Sequence, residues 1–400
     1  MEKFVPKPYK MIGKIQNYAW GTKNESAFIQ KYLGLEPQKD LPYAEYWIGV
    51  HPKAPSDVLV NDEKISLIDL LKKYPQEILG ARIAEKFNNT FPFLLKILSI
   101  NQALSIQAHP DKKLAEELHA KDPINYPDDN HKPEIAIAID NLEAIVGLKK
   151  LDEVKKVFQE NPELYQLLTN EIAVDLENSD ENSSEEILRS IYTQIMYSPE
   201  EKLEKCINEI KQKLEEKPKL IESEKQFLLQ YTYYEIDVGL ISLLLFNLVQ
   251  LKEGEAIFTP AGIPHAYIKG NIVECMANSD NVVRAGLTPK FKDTKTLSKM
   301  LVVDSTKSNV RIEEDEYSLV YKTDAREFEV ERLKLTNVYV VKENHDLKIL
   351  LILDGKISIT YGNEVQDYEK GDVILIPASL GSFKIIETTP SGVFSVSVPM

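Results

Sequence analysis

The chain has little of several things that would have fixed its class at once. It has two cysteines in 400 residues, Cys206 and Cys275, far apart and without a CxxC pairing. That excludes a disulfide framework and a cysteine-built metal site, so any metal must be held by His and carboxylates. No apolar run approaches the roughly 20 residues that span a bilayer. The opening MEKFVPKPYKMIGK lacks the apolar core of a secretory signal, and the expected location is the cytoplasm, with no membrane partner. Positive charge is also short, since 48 Lys and Arg face 63 Asp and Glu for a formal net charge of -15. A field of that sign repels polyanions, so nucleic acid is not expected as a partner. A small anion is still admissible, in a pocket whose Lys and Arg are set against the global field. No Lys or Arg at all occurs between Lys156 and Arg189, and LENSDENSSEE within that stretch reads as a solvated acidic loop.

What is present is ordinary in bulk and particular in pattern. The chain is 43% hydrophobic and 28% charged, and its length exceeds what one hydrophobic core usually serves. The first 150 residues mix short strand-like runs such as EYWIGVHP and FPFLLKILSI with Pro and Asn turns. From 151 to about 239 apolar residues recur at helical spacing, as in Ile187, Leu188, Ile191, Tyr192, Ile195 and Met196. Ser198, Pro199 and Glu201 read as a capped helix start with proline at the first helical position. Strands return after about 240, and GEAIFTPA from Gly254 is echoed by GDVILIPA from Gly371. Five residues after Pro260 stands His265, whereas five after Pro377 stands Ser382, so the second copy has lost a chemical group. The expected fold is mainly β: a site-bearing β domain from 1–150 plus 240–300, an inserted α-helical domain over 151–239, and a C-terminal β domain over 301–400 without a metal site.

Polar residues at strand ends carry the chemistry. In SIQAHPDK, residues 105 to 112, the period of two puts Ser105, Gln107 and His109 on one face if the strand FPFLLKILSI runs on through them. Burying three polar groups costs free energy unless each has a partner. In KPEIAIAID the bulky Ile135, Ile137 and Ile139 alternate with Lys132, Glu134, Ala136 and Ala138, so one face is greasy and the other small and charged. His109, Glu134 and His265 make a set of nitrogen and oxygen donors suited to zinc or another divalent first-row metal, with Gln107 as a neutral oxygen ligand. The separations, 25 residues from His109 to Glu134 and 131 onward to His265, match no compact motif. Spacing alone therefore leaves both a metal site and a pair of satisfied rim histidines open. His51, His119 and His345 sit in polar or turn-like surroundings and are not site candidates.

Longer strings decide more. QNYAWG (16 to 21), YAEYWIGVHP (43 to 52), FPFLLKILSINQALSIQAHPDK (91 to 112), NHKPEIAIAI (130 to 139), TPAGIPHAYIKG (259 to 270) and ECMANSDNVVRAGLTPKF (274 to 291) resemble the type I phosphomannose isomerase family. The resemblance runs from about residue 10 to about 295. It implies a cupin fold, with two jelly-roll β domains, and one zinc ion per chain on Gln107, His109, Glu134 and His265. It further implies the interconversion of mannose 6-phosphate and fructose 6-phosphate through an enediol, feeding GDP-mannose and glycan synthesis or mannose catabolism. The partner is then a phosphorylated hexose, and the protein is expected to be a monomer. Arg284 matches the family's arginine, and Trp20, Glu45 and Tyr267 match positions that shape the sugar pocket.

Other roles follow from the residues. Lys132 shares a face with Glu134, where a metal cation, Arg284 and desolvation disfavour its ammonium form, so it is the candidate base, with a carboxylate or phosphate partner as the competing reading. His131 and Asp280 are candidate helpers in ring opening, and an ion pair with Asp280 is the plain alternative for Arg284. Ser105, Lys96 and Lys290 are the candidate phosphate donors. Lys96 inside FPFLLKIL costs several kcal/mol if unpaired, so otherwise it must snorkel to the surface. A cupin dioxygenase or a silent sugar-binding scaffold are the competing functions; the cluster of cations disfavours the first and the intact ligand set the second.

Overall fold

The computed structural model describes residues 3–180, 183–336 and 338–400. Its strands form two antiparallel sheets. The first has ten strands, running Phe246–Leu251, Leu142–Leu148, His265–Ala277, Phe93–Ile100, Glu45–Ile48 and Lys14–Gln16, with Ile106–Ala108, Glu134–Ala138, Ala256–Thr259 and Val283–Gly286 attached off that path. The 13-residue strand His265–Ala277 is its spine. Its start pairs with Ile106–Ala108 and Leu142–Leu148, and its later part with Phe93–Ile100 and Glu134–Ala138.

The second sheet has eleven strands, ten of which lie between Arg311–Glu314 and Phe383–Ser397 or come from the N-terminal segments Tyr9–Ile12 and Asp57–Val60, with Glu63–Ser66 at its edge. Sheet membership thus differs from the partition expected over 1–150, because Tyr9 pairs with Leu375 and Met11 with both Val373 and Val58. The reason is burial. Tyr9–Ile12 has one buried face, and Val373–Ile376 is buried along its whole length, so pairing the two removes an apolar edge from water. One apolar cluster accordingly runs through both sheets, from Phe93, Ile97 and Ile135 to Leu351, Val373 and Phe394.

The two repeat segments have parallel local structure. Gly254 and Gly371 take φ values of +81° and +92°, where a Cβ is strained, and each opens a turn into a four-residue strand, Ala256–Thr259 or Val373–Ile376. The return strands begin at His265 and Phe383, so His265 opens its strand whereas Ser382 falls one residue before its own.

Helices occupy most of 151–245. The stripe Ile187, Leu188, Ile191, Tyr192 and Ile195 is buried on Ser184–Met196, as its spacing predicts, and Met196 packs at the margin. Two local expectations change. The next helix is Glu200–Glu216, with Pro199 one position before the first helical residue, and Ser198 Oγ donates to the Gln194 carbonyl instead of capping the new helix. The acidic stretch is helical at both ends, Asn170–Asn178 and Ser184–Met196, because Leu176 and Ile187 are buried there; Glu181 and Asn182 lie outside the described residues.

This helical layer positions the site. It shares one apolar cluster with Ile106, Ala108, Ala266, Ile268, Val283 and Ala285. The residues alternating with these, Gln107, Tyr267 and Arg284, line a cavity on the opposite face. No helix among the described residues is long and apolar enough to cross a membrane.

Candidate metal centre and anion pocket

The strand expected to run from 93 through 109 is two strands, Phe93–Ile100 and Ile106–Ala108. Between them the chain turns to bond neighbouring loops, with Asn101 N and Gln102 N donating to the Trp20 carbonyl and Leu104 N to the Tyr267 carbonyl. The alternation survives locally, so Ser105 and Gln107 line a cavity of about 690 Å³. Register does the rest of the assembly. His265 lies opposite Gln107, Arg284 opposite Gln107 on its other side, and Glu134 opposite Met276 and Thr259.

His109, Glu134 and His265 converge with one ligand atom each within 4.8 Å of the others, all buried. His109 Nε2 is 3.2 Å and His265 Nε2 3.3 Å from the same oxygen, Glu134 Oε2. The other ring nitrogens settle the tautomers. His109 Nδ1 lies 2.9 Å from the Asn281 carbonyl and His265 Nδ1 3.0 Å from the Ile263 carbonyl. A carbonyl oxygen can only accept, so each Nδ1 carries the proton and each Nε2 presents a lone pair. Burial lowers the His109 pKa to about 4 against the attraction of Glu134, which keeps that ring neutral at pH 7. Burial alone would raise the Glu134 carboxyl, but the Lys132 ammonium, 2.8 Å from Oε1, holds it well below the usual carboxylate range. Two lone pairs therefore face one anionic oxygen, and the buried His265 Nε2 has no hydrogen bond. A divalent cation resolves that arrangement, and the donor set fits one.

The cations around the cavity divide into paired and unpaired. Lys96 neither snorkels nor stands free: Nζ lies 3.0 Å from Glu274 Oε2 and 3.6 Å from Glu45 Oε2, and 5.3 Å from the centre of the Trp47 ring. Burial works against its charge, yet Glu274 and Glu45 outweigh burial and raise its pKa above the ordinary value. Lys132 is committed to Glu134, so of its two readings the carboxylate partner is the one the structure contains. Lys53 pairs with Asp280 at 2.7 Å, and His51 Nε2 lies 3.1 Å from the same carboxylate. Asp280 is thus occupied away from Arg284, and the plain ion pair is absent. Among the described residues Arg284 and Lys290 line the cavity without a carboxylate at ion-pair distance. Burial lowers the Arg284 pKa, as expected for a guanidinium with no counter-charge.

The remaining expectations separate cleanly. Trp20, Glu45 and Tyr267 line the cavity, and Glu45 accepts a hydrogen bond from Trp47 Nε1. His131 does not line it; its Nε2 is 2.9 Å from Glu327 Oε1. It points to the segment before Glu329–Leu333 because the neighbouring Lys132 takes the inward face. Sequence reasoning missed Glu274, Trp47 and the His51 and Lys53 partners of Asp280. For Glu274 a signal existed: it is the one acid in NIVECMA as Lys96 is the one base in FPFLLKIL, and the two are opposite each other in register.

Comparison with known proteins gives a consistent result. Residues 9–151 match the catalytic domain of type I phosphomannose isomerase, and residues 318–389 match the cupin domain of mannose-6-phosphate isomerase. The chain is 36% identical over 403 residues to the mannose-6-phosphate isomerase of Ogataea parapolymorpha, covering 93% of each. It is 34% identical over 374 residues to that of Homo sapiens, covering 88% of each. Among solved structures, the mannose 6-phosphate isomerase of Salmonella typhimurium bound to fructose 6-phosphate and zinc superposes with a TM-score of 0.87 at 28% identity, over 98% of this chain and 100% of that one.

Proposed function

The chain belongs to the type I phosphomannose isomerase family, and from that premise we propose that it interconverts mannose 6-phosphate and fructose 6-phosphate by moving a proton between C2 and C1 through an enediol. The observation that carries this reading is a donor set built for a divalent ion that meets, through Glu134 and Gln107, a cavity also lined by two uncompensated cations, Arg284 and Lys290. The metal is zinc, one ion per chain, held by His109, Glu134, His265 and Gln107. When bound, it supplies positive charge where charge develops on the sugar oxygens.

The protein's own groups divide the remaining work. Arg284 and Lys290 receive the phosphate dianion, because every other cation named at the cavity already has a carboxylate. Ser105 holds a sugar hydroxyl on the wall beside Gln107, and Trp20 and Tyr267 enclose the ring. Two groups can hold the migrating proton. They are Lys132, whose ammonium lies 2.8 Å from Glu134, and Glu274, whose carboxyl is raised by burial against the pull of Lys96; both line the cavity. Asp280 orients the mouth through His51 and Lys53. The two sheets are read as two cupin jelly rolls, of which the C-terminal one keeps the architecture and lacks the histidine. The expected context is GDP-mannose supply or mannose catabolism in the cytoplasm.

A coupled assay of fructose 6-phosphate formation from mannose 6-phosphate tests the proposal, run before and after chelation and after zinc is restored. Loss on chelation and recovery with zinc supports it. Metal-loaded protein without isomerase activity refutes it.

A further inference from the structure

One carboxylate that does not line the cavity fastens together two chain segments behind the metal ligands. Asp128 Oδ1 accepts hydrogen bonds from Ser279 Oγ at 2.8 Å, Asn130 N at 3.0 Å and Asn281 Nδ2 at 3.1 Å, and its Oδ2 accepts one from Asp280 N at 2.7 Å. The Asn281 side chain, fully buried, also reaches the backbone carbonyls of Asp128 at 2.6 Å and Asn130 at 2.9 Å. Ser279 Oγ accepts from Asn281 N at 3.1 Å, and Asn130 Nδ2 donates to the Asn278 carbonyl at 3.0 Å. The chain leaving this knot on one side carries Lys132 and Glu134 within six residues, and on the other Arg284 within three. Its output to the metal site is direct, because the Asn281 carbonyl is the group that fixes the His109 tautomer.

We infer that Asp128 is a positioning residue for the metal centre: by setting the 278–282 loop it aims the Asn281 carbonyl at His109 and so controls how tightly a divalent ion is held. The inference rests on the reading of His109, Glu134 and His265 as metal ligands. It makes a sharp chemical demand, since all four donors point at acceptor oxygens. Asp128→Asn keeps the shape but turns one oxygen into an NH2 that must face at least one N–H or O–H at 2.7 to 3.1 Å. The loop then shifts and His109 loses its fixed orientation.

The test is zinc affinity of the full chain, measured by competition with a chromophoric chelator, alongside the thermal midpoint of the metal-free protein. Asp128→Asn is expected to weaken zinc binding about 10- to 100-fold, the range for residues that orient metal ligands. A purely structural role would lower the metal-free midpoint and leave zinc affinity within about twofold of the parent, and that result overturns the inference. If Asp128→Asn does not fold, Ser279→Ala removes one donor to Asp128 and the acceptor for Asn281 N; a loss of about threefold or more supports the inference and unchanged affinity overturns it. A parent chain that takes up no zinc removes the metal reading itself, an outcome distinct from a variant that binds as the parent does.

Discussion

Replacing Lys96 by methionine tests the electrostatic design of the cavity wall. The side chain keeps its length and loses its charge, which strands Glu274, 3.0 Å away, and Glu45, 3.6 Å away, in a wall where all three residues are under a tenth exposed. Removing one partner of a buried ion pair costs about 3–5 kcal/mol, because the remaining charge has neither water nor a counter-ion. The cost has a pH signature. Burial already raises the Glu274 carboxyl, with Lys96 pulling it back down, so without Lys96 it rises further. A carboxyl raised above its unfolded value of about 4.3 binds more protons folded than unfolded in the window between the two, so stability falls as pH rises through that window. Lys96→Met is therefore expected to lose about 3–5 kcal/mol at pH 8, and progressively less as pH falls and the stranded carboxyl takes up a proton. The chain has two tryptophans, Trp20 and Trp47, and both line this cavity, so fluorescence-detected urea unfolding reports on the wall itself. Adding Glu274→Gln should recover more than half of the loss at pH 8. A Lys96→Met midpoint equal to the parent's at pH 8, or a double variant no more stable than the single one, would refute the reasoning.

Arg284→Gln should lower kcat/KM for mannose 6-phosphate by about 10- to 100-fold, the equivalent of one charge-assisted hydrogen bond, with zinc content unchanged; an unchanged KM would remove Arg284 from the phosphate site. His131→Gln should leave kcat/KM within about twofold and cost about 0.5–1 kcal/mol of stability through the lost Glu327 contact, since that side chain does not line the cavity. A large kcat loss would restore His131 to the chemistry. Burial alone would raise the Asp280 carboxyl, but His51 and Lys53 outweigh it and hold it below the ordinary range. Its contribution, on the order of 1 kcal/mol given the exposure of Lys53 and the part exposure of Asp280 itself, is present above about pH 4 and lost as pH falls through the depressed folded value. Asp280→Asn should therefore flatten the acid limb of stability measured between pH 5 and pH 2, and an unaltered limb would contradict the assignment.

How much of this was legible depends on what each residue's partner was. His109, Glu134 and His265 could be picked out as candidates because they are polar groups at the ends of apolar strands, but their spacing left satisfied rim histidines equally open, and it was the resemblance of the longer strings that favoured a metal. Arg284 and Lys290 could be read as cavity cations from the strings around them. The commitments of Lys96, Lys132 and Asp280 could not, because each depends on a partner across a strand or a loop, and strand register is not written in either strand alone. His131 shows the same limit in reverse: one residue from Lys132, it faces the other way. The N-terminal strands that join the second sheet were invisible for a related reason, since Tyr9–Ile12 and Val373–Ile376 are separated by most of the chain.

The long gap before His265 follows from packing rather than from anything the ligands need. A strand whose inner face must be polar has only its outer face with which to hold itself in the core. Ile106 and Ala108 flank Gln107, Ala266 and Ile268 flank Tyr267, and Val283 and Ala285 flank Arg284, and all six apolar residues are buried in the cluster formed by the inserted helices. Each buried isoleucine or valine contributes about 1.5–3 kcal/mol, which offsets the cost of the polar groups between them. Helices are therefore inserted where the strands carrying the polar face would otherwise show their backs to water, and the 130 residues between Glu134 and His265 contain that cover. The site and its distant scaffold are two faces of the same alternation.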